Sequence, residues 1–207
     1  MGGIRIAVLA LVIGLPLAAT PLLVNGGFET GPAPGAFTTL AGGNTSMTGW
    51  TVTGHSIDYI GSYWQPGEGN RSVDLNGSGA GGVEQSVAGF DIGTAYLLTF
   101  LMSGNPDGAP VVKNLRVTIS GVGFADFSFD TTGVTRSNMG WELKTFGFVA
   151  AATTHLISFS SLDLSPAFFG AAVDDVRIGE VPEPATFGLL GAGLLLFGLA
   201  RISRKRQ

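Results

Sequence analysis

Glycine punctuates this chain at intervals too short for a helical domain. Breaks fall at Gly26-Gly27, Gly42-Gly43, Gly67-Glu-Gly69, Gly77-Ser-Gly-Ala-Gly-Gly82 and Gly104-Asn-Pro-Asp-Gly108. Glycine weakens the interior of helices and strands alike, so such clusters mark turns. Between them lie short stretches rich in Val, Ile, Thr, Phe and Tyr: Trp50–Thr53, Ser72–Leu75, Tyr96–Met102, Leu115–Ser120, Phe124–Phe129, Phe146–Val149 and Leu156–Phe159. No segment of the body sustains a helical period. Short strands separated by turn signals predict an all-β sandwich.

Alternation assigns the faces. Leu115, Val117 and Ile119 share one parity and Asn114, Arg116, Thr118 and Ser120 the other, so one side of this strand covers a core and the other meets water. Phe127 and Phe129 alternate with Asp126, Ser128 and Asp130 in the same way. Tyr96–Met102 is apolar on both faces and reads as a central strand. Glu142 and Lys144 share parity with Phe146 and Phe148, which predicts a bulge or a change of partner sheet near Lys144.

Both ends stand apart from the body. Arg5 followed by an apolar run to Ala19 reads as a secretory signal peptide over residues 1–19. At the other end a sixteen-residue apolar run, Ala185–Ala200, is closed by Arg201, Arg204, Lys205 and Arg206. That pattern predicts a single transmembrane helix with its basic flank in the cytoplasm, and it places residues 23–180 outside. The run is shorter than the roughly 20 residues of a comfortable span, which suits a transient anchor.

From Thr20 to Glu180 six Lys or Arg stand against fourteen Asp or Glu, a net charge of −8. Nucleic acids and anionic membrane surfaces are held by clustered cations, so an acidic body argues against both. Calcium, neutral glycans and other proteins stay open as partners. Cysteine is absent, which excludes thiol chemistry and cysteine-ligated zinc. About 155 residues suffice for one domain with a core of its own.

The tail, residues 181–207, resembles the PEP-CTERM sorting signal of Gram-negative bacteria: a Pro-Glu-Pro motif at Pro182, Glu183 and Pro184, an apolar run and an Arg-rich end. The resemblance implies recognition by an exosortase, which removes the tail near the motif. The precursor would be anchored in the inner membrane, and the product would reside on the outer surface or in the extracellular matrix.

The body has its own resemblance. Leu23-Val-Asn-Gly-Gly-Phe-Glu29-Thr-Gly-Pro and Ala172-Val-Asp-Asp-Val-Arg-Ile178 look like the first and last strands of galactose-binding-like jelly rolls, the fold of many carbohydrate-binding modules. Gly49-Trp-Thr-Val-Thr-Gly, Val73-Asp-Leu-Asn-Gly, Asp58–Trp64, Gly82–Val87 and Asn138–Phe148 resemble the choice-of-anchor C family. The jelly-roll resemblance implies a structural calcium held by Glu29 and Asp174 with backbone carbonyls. If Val176 and Ile178 face the core, period two puts Asp174 on the same buried face, and a buried carboxylate needs compensation. The alternative compensation is backbone amides of a neighbouring loop, capped by Asp174.

Tyr63 and Trp64, with Asp58, Gln65 and Arg71 nearby, combine flat apolar faces with hydrogen-bonding groups, as sugar binding requires. The competing reading tucks Trp64 back over the end of the sandwich. Trp50 and Trp141 read as core. For catalysis there is little: His55 and His155 read as strand-end residues, no Gly-x-Ser-x-Gly elbow appears, and the glycine-rich 77–82 turn lacks a following Lys. The expected function is non-catalytic binding of an exopolysaccharide, as in a biofilm. The alternative is a structural or adhesive surface protein without a glycan ligand, and a hydrolase comes third. An exposed Trp64 favours the first, a buried Trp64 the second.

Overall fold

The computed structural model describes residues 23–164 and 168–181. The expected signal peptide, the Pro182, Glu183 and Pro184 motif and the apolar run 185–200 lie outside the described residues. Eleven strands are described: β1 (Phe37–Ala41), β2 (Thr51–Gly54), β3 (Ser56–Ile60), β4 (Ser72–Asp74), β5 (Gly81–Ala88), β6 (Ala95–Gly104), β7 (Val112–Ile119), β8 (Gly123–Asp130), β9 (Glu142–Val149), β10 (Thr154–Ser161) and β11 (Ala171–Glu180). They form a six-stranded sheet, β1-β3-β4-β11-β6-β9, and a five-stranded sheet, β2-β5-β10-β7-β8. Every pairing is antiparallel.

From β4 onward the chain changes sheet at every connection except the β7–β8 hairpin. The resulting orders, β4-β11-β6-β9 facing β5-β10-β7-β8, are those of a jelly roll. β1 extends one sheet through β3, and β2 extends the other through β5.

The core follows the predicted alternation. Leu115, Val117 and Ile119 of β7, Val83 and Val87 of β5, and Ile157 and Phe159 of β10 point inward. They meet Tyr96, Leu98, Phe100 and Met102 of β6 and Val73 of β4 from the other sheet. Each such side chain contributes about 1.5–3 kcal/mol when fully buried. Trp50 is core as expected, packed against a tilted Phe28 ring and edge-on to Phe159. Among the described residues the core runs from Leu23 to Ile178, so it closes within residues 23–181.

Three expectations need correction. The Leu23–Pro32 segment is not the first strand: it is a turn in which Asn25 O accepts from Phe28 N–H and from the Trp50 indole, while Gln85 clips both backbone groups of Val24. β6 is interior to its sheet, as its apolar faces predict, and its outer side is partly open, with Leu97 37% exposed. β9 pairs with β6 without a register break, so there is no bulge at Lys144; β9 is an edge strand, and Glu142 and Lys144 pair with each other at 2.7 Å at its open end. The bulge lies instead in β11, between Asp174 and Arg177, with Asp175 at φ 47°. The extra residue reverses parity, so Val173, Val176 and Ile178 all face the core and Asp174 is buried on the opposite face.

Candidate functional site

A second, smaller core explains how Asp174 can be buried on an outer face. The β3–β4 loop and the β8–β9 loop fold back over the outside of the six-stranded sheet. There Trp64 and Met139 pack on Ile60 and Ala172, with Tyr63, Val134 and Trp141 at the margin. Trp64 is only 4% exposed, and its indole N–H donates to Ser72 Oγ at 2.9 Å. It is a pillar under the loop and does not form an open platform. Trp141 sits in this outer cluster, partly exposed, and donates to Gln65 O. The main core does not contain it.

Two carboxylates hold the loop down. Asp174 Oδ2 accepts from Gly67 N–H and Glu68 N–H at 2.9 Å each, and Oδ1 accepts from Asp175 N–H at 2.7 Å. Glu29 Oε1 accepts from Asn70 N–H at 2.7 Å and Arg71 N–H at 2.9 Å. Burial pushes the Asp174 carboxyl up to about 7, against the pull of its amide donors. Both residues proposed from the sequence as calcium ligands thus act as braces for one loop. Three of their four oxygens are met by N–H groups, which present the wrong sign to a cation. Among the described residues no three His, Cys, Asp or Glu side chains are arranged to hold a metal ion. The donor set as it stands does not fit a calcium shell.

Of the five residues expected to bind sugar, the structure brings two together. Trp64 and Arg71 line an open groove of about 450 Å³ on the same loop, walled by Pro34 and Pro66, with Ser62 and Asn70 as further polar groups. Arg71 Nη1 donates to Tyr59 OH, Gly31 O and Pro32 O, which holds the guanidinium beneath the groove. Tyr63 turns away: its hydroxyl donates to Asp107 Oδ2 at 2.8 Å and accepts from Arg136, whose guanidinium lies 4.1 Å from its ring centre. Asp58 accepts from Thr39 Oγ1 across β1 and β3. Gln65 contributes its backbone, bonded to Arg136 O and to Trp141.

Ser62, Pro34, Pro66 and Asn70 escaped the sequence reading, because nothing in their local pattern shows that the loop folds back. The same is true of Asp74, fully buried and opposite Asp58. Asn105 Nδ2, Asn76 N–H and Gly170 N–H donate to Asp74 at 2.8, 2.9 and 3.0 Å, and burial pushes its carboxyl up to about 7. These bonds tie β4 to the loops that precede β7 and β11.

Two sheets and a loop-built surface groove define an all-β jelly-roll module. The chain belongs to the family described as Protein of unknown function (DUF642), which matches residues 21–179. Residues 180–205 match the PEP-CTERM protein-sorting motif, which marks the chain for export and surface association. Halomucin of Haloquadratum walsbyi is 34% identical over 177 residues, 83% of this chain, and the chain spans only 2% of its length. Among solved structures, TmCBM61 in complex with β-1,4-galactotriose is 16% identical at a TM-score of 0.47, covering 77% of this chain and 97% of that one. A family 35 carbohydrate binding module from Clostridium thermocellum is 13% identical at a TM-score of 0.44, covering 70% and 99%.

Proposed function

We propose that this is an exosortase-processed protein of the outer surface or extracellular matrix whose sandwich binds an extracellular polysaccharide without catalysis. Pro182-Glu183-Pro184 is the sorting motif that the exosortase recognises, and residues 185–200 anchor the precursor in the membrane until the tail is removed. The motifs quoted above further align the body with the choice-of-anchor C proteins. The observation that carries the binding reading is the groove: the Trp64 edge and two prolines form apolar walls, and Ser62, Asn70 and Arg71 supply hydrogen-bonding groups. None of its lining residues is a carboxylate, whereas glycoside hydrolysis uses a facing pair.

The test is a glycan panel against residues 23–181, alongside Asn70→Ala and Ser62→Trp. Both side chains are solvent-facing, so the fold should survive. Selective binding by the parent, weakened at least about tenfold in each variant, supports the groove. Binding that ignores both variants removes it.

A second reading is favoured by the burial of Trp64: a structural or adhesive surface protein with no glycan ligand. A blank panel with a fully folded protein selects it.

A further inference from the structure

The outer face of the six-stranded sheet is divided. Its upper half lies under the Trp64 cluster, while no described residue covers its lower half, toward the end of β11. On β9, Leu143 is 65% and Val149 56% exposed, with Thr145 and Gly147 exposed between them; Leu97 and Thr99 of β6 lie alongside. Among the described residues β9 pairs with β6 on one side only. Alternate residues along its free edge therefore turn backbone N–H and C=O groups outward, which is a template for another strand.

The chain's four sheet edges differ in how they are protected. β2 is four residues long and β1 five. β8 carries Asp130 on its exposed face, beside the Arg116–Asp126 ion pair, so two copies meeting there would bring the Asp130 carboxylates toward each other. β9 has eight residues, no proline and no bulge. Its two charges, Glu142 and Lys144, neutralise each other. In a body of net charge −8 this edge is the long neutral line along which a second copy can approach.

We propose that β9 is the docking edge for a second copy of this chain, through an antiparallel, two-fold β9–β9 pairing centred on Phe146. Antiparallel partners must share a face, so the register sums to an even number. Centring on Phe146 sets Leu143 opposite Val149 of the second copy and Thr145 opposite Gly147, so the two most exposed apolar side chains of the strand cover each other. Either register sets one charged side chain opposite Phe148, Lys144 when centred on Phe146 and Glu142 when centred on Thr145, but centring on Thr145 leaves Val149 without a partner in the strand. The pairing is self-complementary, as a two-fold interface requires. One strand edge buries less than the ~1,000 Å² of a stable interface, so the association is weak and suited to a crowded matrix. It is independent of the groove and of any glycan.

The test is sedimentation of residues 23–181 from about 1 μM to about 1 mM, the range in which a weak interface titrates. The parent is expected to dimerise reversibly. Leu143→Glu and Val149→Lys should each weaken self-association about tenfold or more. An equimolar mixture of the two should recover it, because the carboxylate introduced in one variant then faces the ammonium introduced in the other. A parent monomeric throughout the range overturns the proposal, as does a dimer indifferent to both substitutions or a mixture that fails to recover. Dimerisation of residues 23–181 but not of the detergent-solubilised full chain would assign the edge to residues 182–207 before processing, and would overturn it for the precursor.

Discussion

Glu29 and Asp174 stand 145 positions apart in the sequence and brace consecutive segments of one loop, Asp174 on the Gly67 and Glu68 amides and Glu29 on the Asn70 and Arg71 amides. Gly69, at φ 57°, lies between the two braces and would bring a Cβ against Glu29 Oε1. The floor and one wall of the groove belong to this loop. Its shape therefore depends on carboxylates contributed by the opening turn and by the bulge of β11.

Asp174→Ala leaves the Gly67 and Glu68 N–H groups without their acceptor. Both donors are only partly buried, and a bond to a charged acceptor contributes about 1.5–3 kcal/mol. The expected loss of stability is about 3 kcal/mol, or roughly 6–12 °C in Tm for a domain of this size. Thermal unfolding followed by circular dichroism measures it. A change below about 1 °C, well short of that range, would show that the brace carries no load.

Calcium at millimolar concentration is expected to leave Tm within about 1 °C, since a ligand stabilises only in proportion to its binding to the native state. The three engaged oxygens of Glu29 and Asp174 account for this. A rise of several degrees, abolished by chelator and by Glu29→Gln, would mean that the carboxylates turn from the amides to a cation.

Trp64→Ala should be costly without dissolving the sandwich. Truncating a buried Trp costs about 3–5 kcal/mol, and here the loss falls on the outer cluster, not the main core. Backbone hydrogen exchange should quicken in residues 61–71 and 131–141 and stay slow in β5, β7 and β10. Trp64→Phe keeps most of the packing and loses only the bond to Ser72, about 1 kcal/mol. Uniform acceleration across both sheets in Trp64→Ala would refute the division into two cores.

The strands of the main sandwich were legible because their residues alternate: Leu115, Val117 and Ile119 declare a face without help from the rest of the chain. β1 and β3 were less legible, since Phe37–Ala41 and Ser56–Ile60 carry polar residues at the edge of the sheet and one apolar side chain, Ile60, that serves the second core. A loop folding back on the outer face has no period, so Trp64 could be read either as a platform or as a pillar. Asp174 showed the limit of parity counting: one bulge residue moved it to the other face, although its burial was foreseen. The bulge itself was expected in β9, where the apparent conflict of parity arises from two charges at an open strand end.

Acidic pH should stabilise this domain. Burial raises the folded-state carboxyls of Asp74 and Asp174 from 3.8 to about 7, and raises Asp58 in the same direction. Between pH ~4 and ~7 the native state therefore holds protons that the unfolded chain has released, so the native state binds more and stability falls as pH rises through this window. Asp126 and Asp130 are shifted the other way, by Arg116 and by Thr132, and their contribution is present above pH ~4 and lost below it. The two effects together set the maximum near pH ~4–6, toward the acid side of the roughly pH 5–8 range in which most proteins are most stable. Tm measured from about pH 3 to about pH 9 should peak there and drop by several degrees by about pH 8. Asp74→Asn, which fixes that site in a neutral form, should flatten the descent between about pH 5 and about pH 8, and a descent of unchanged steepness would show that Asp74 does not titrate in that window.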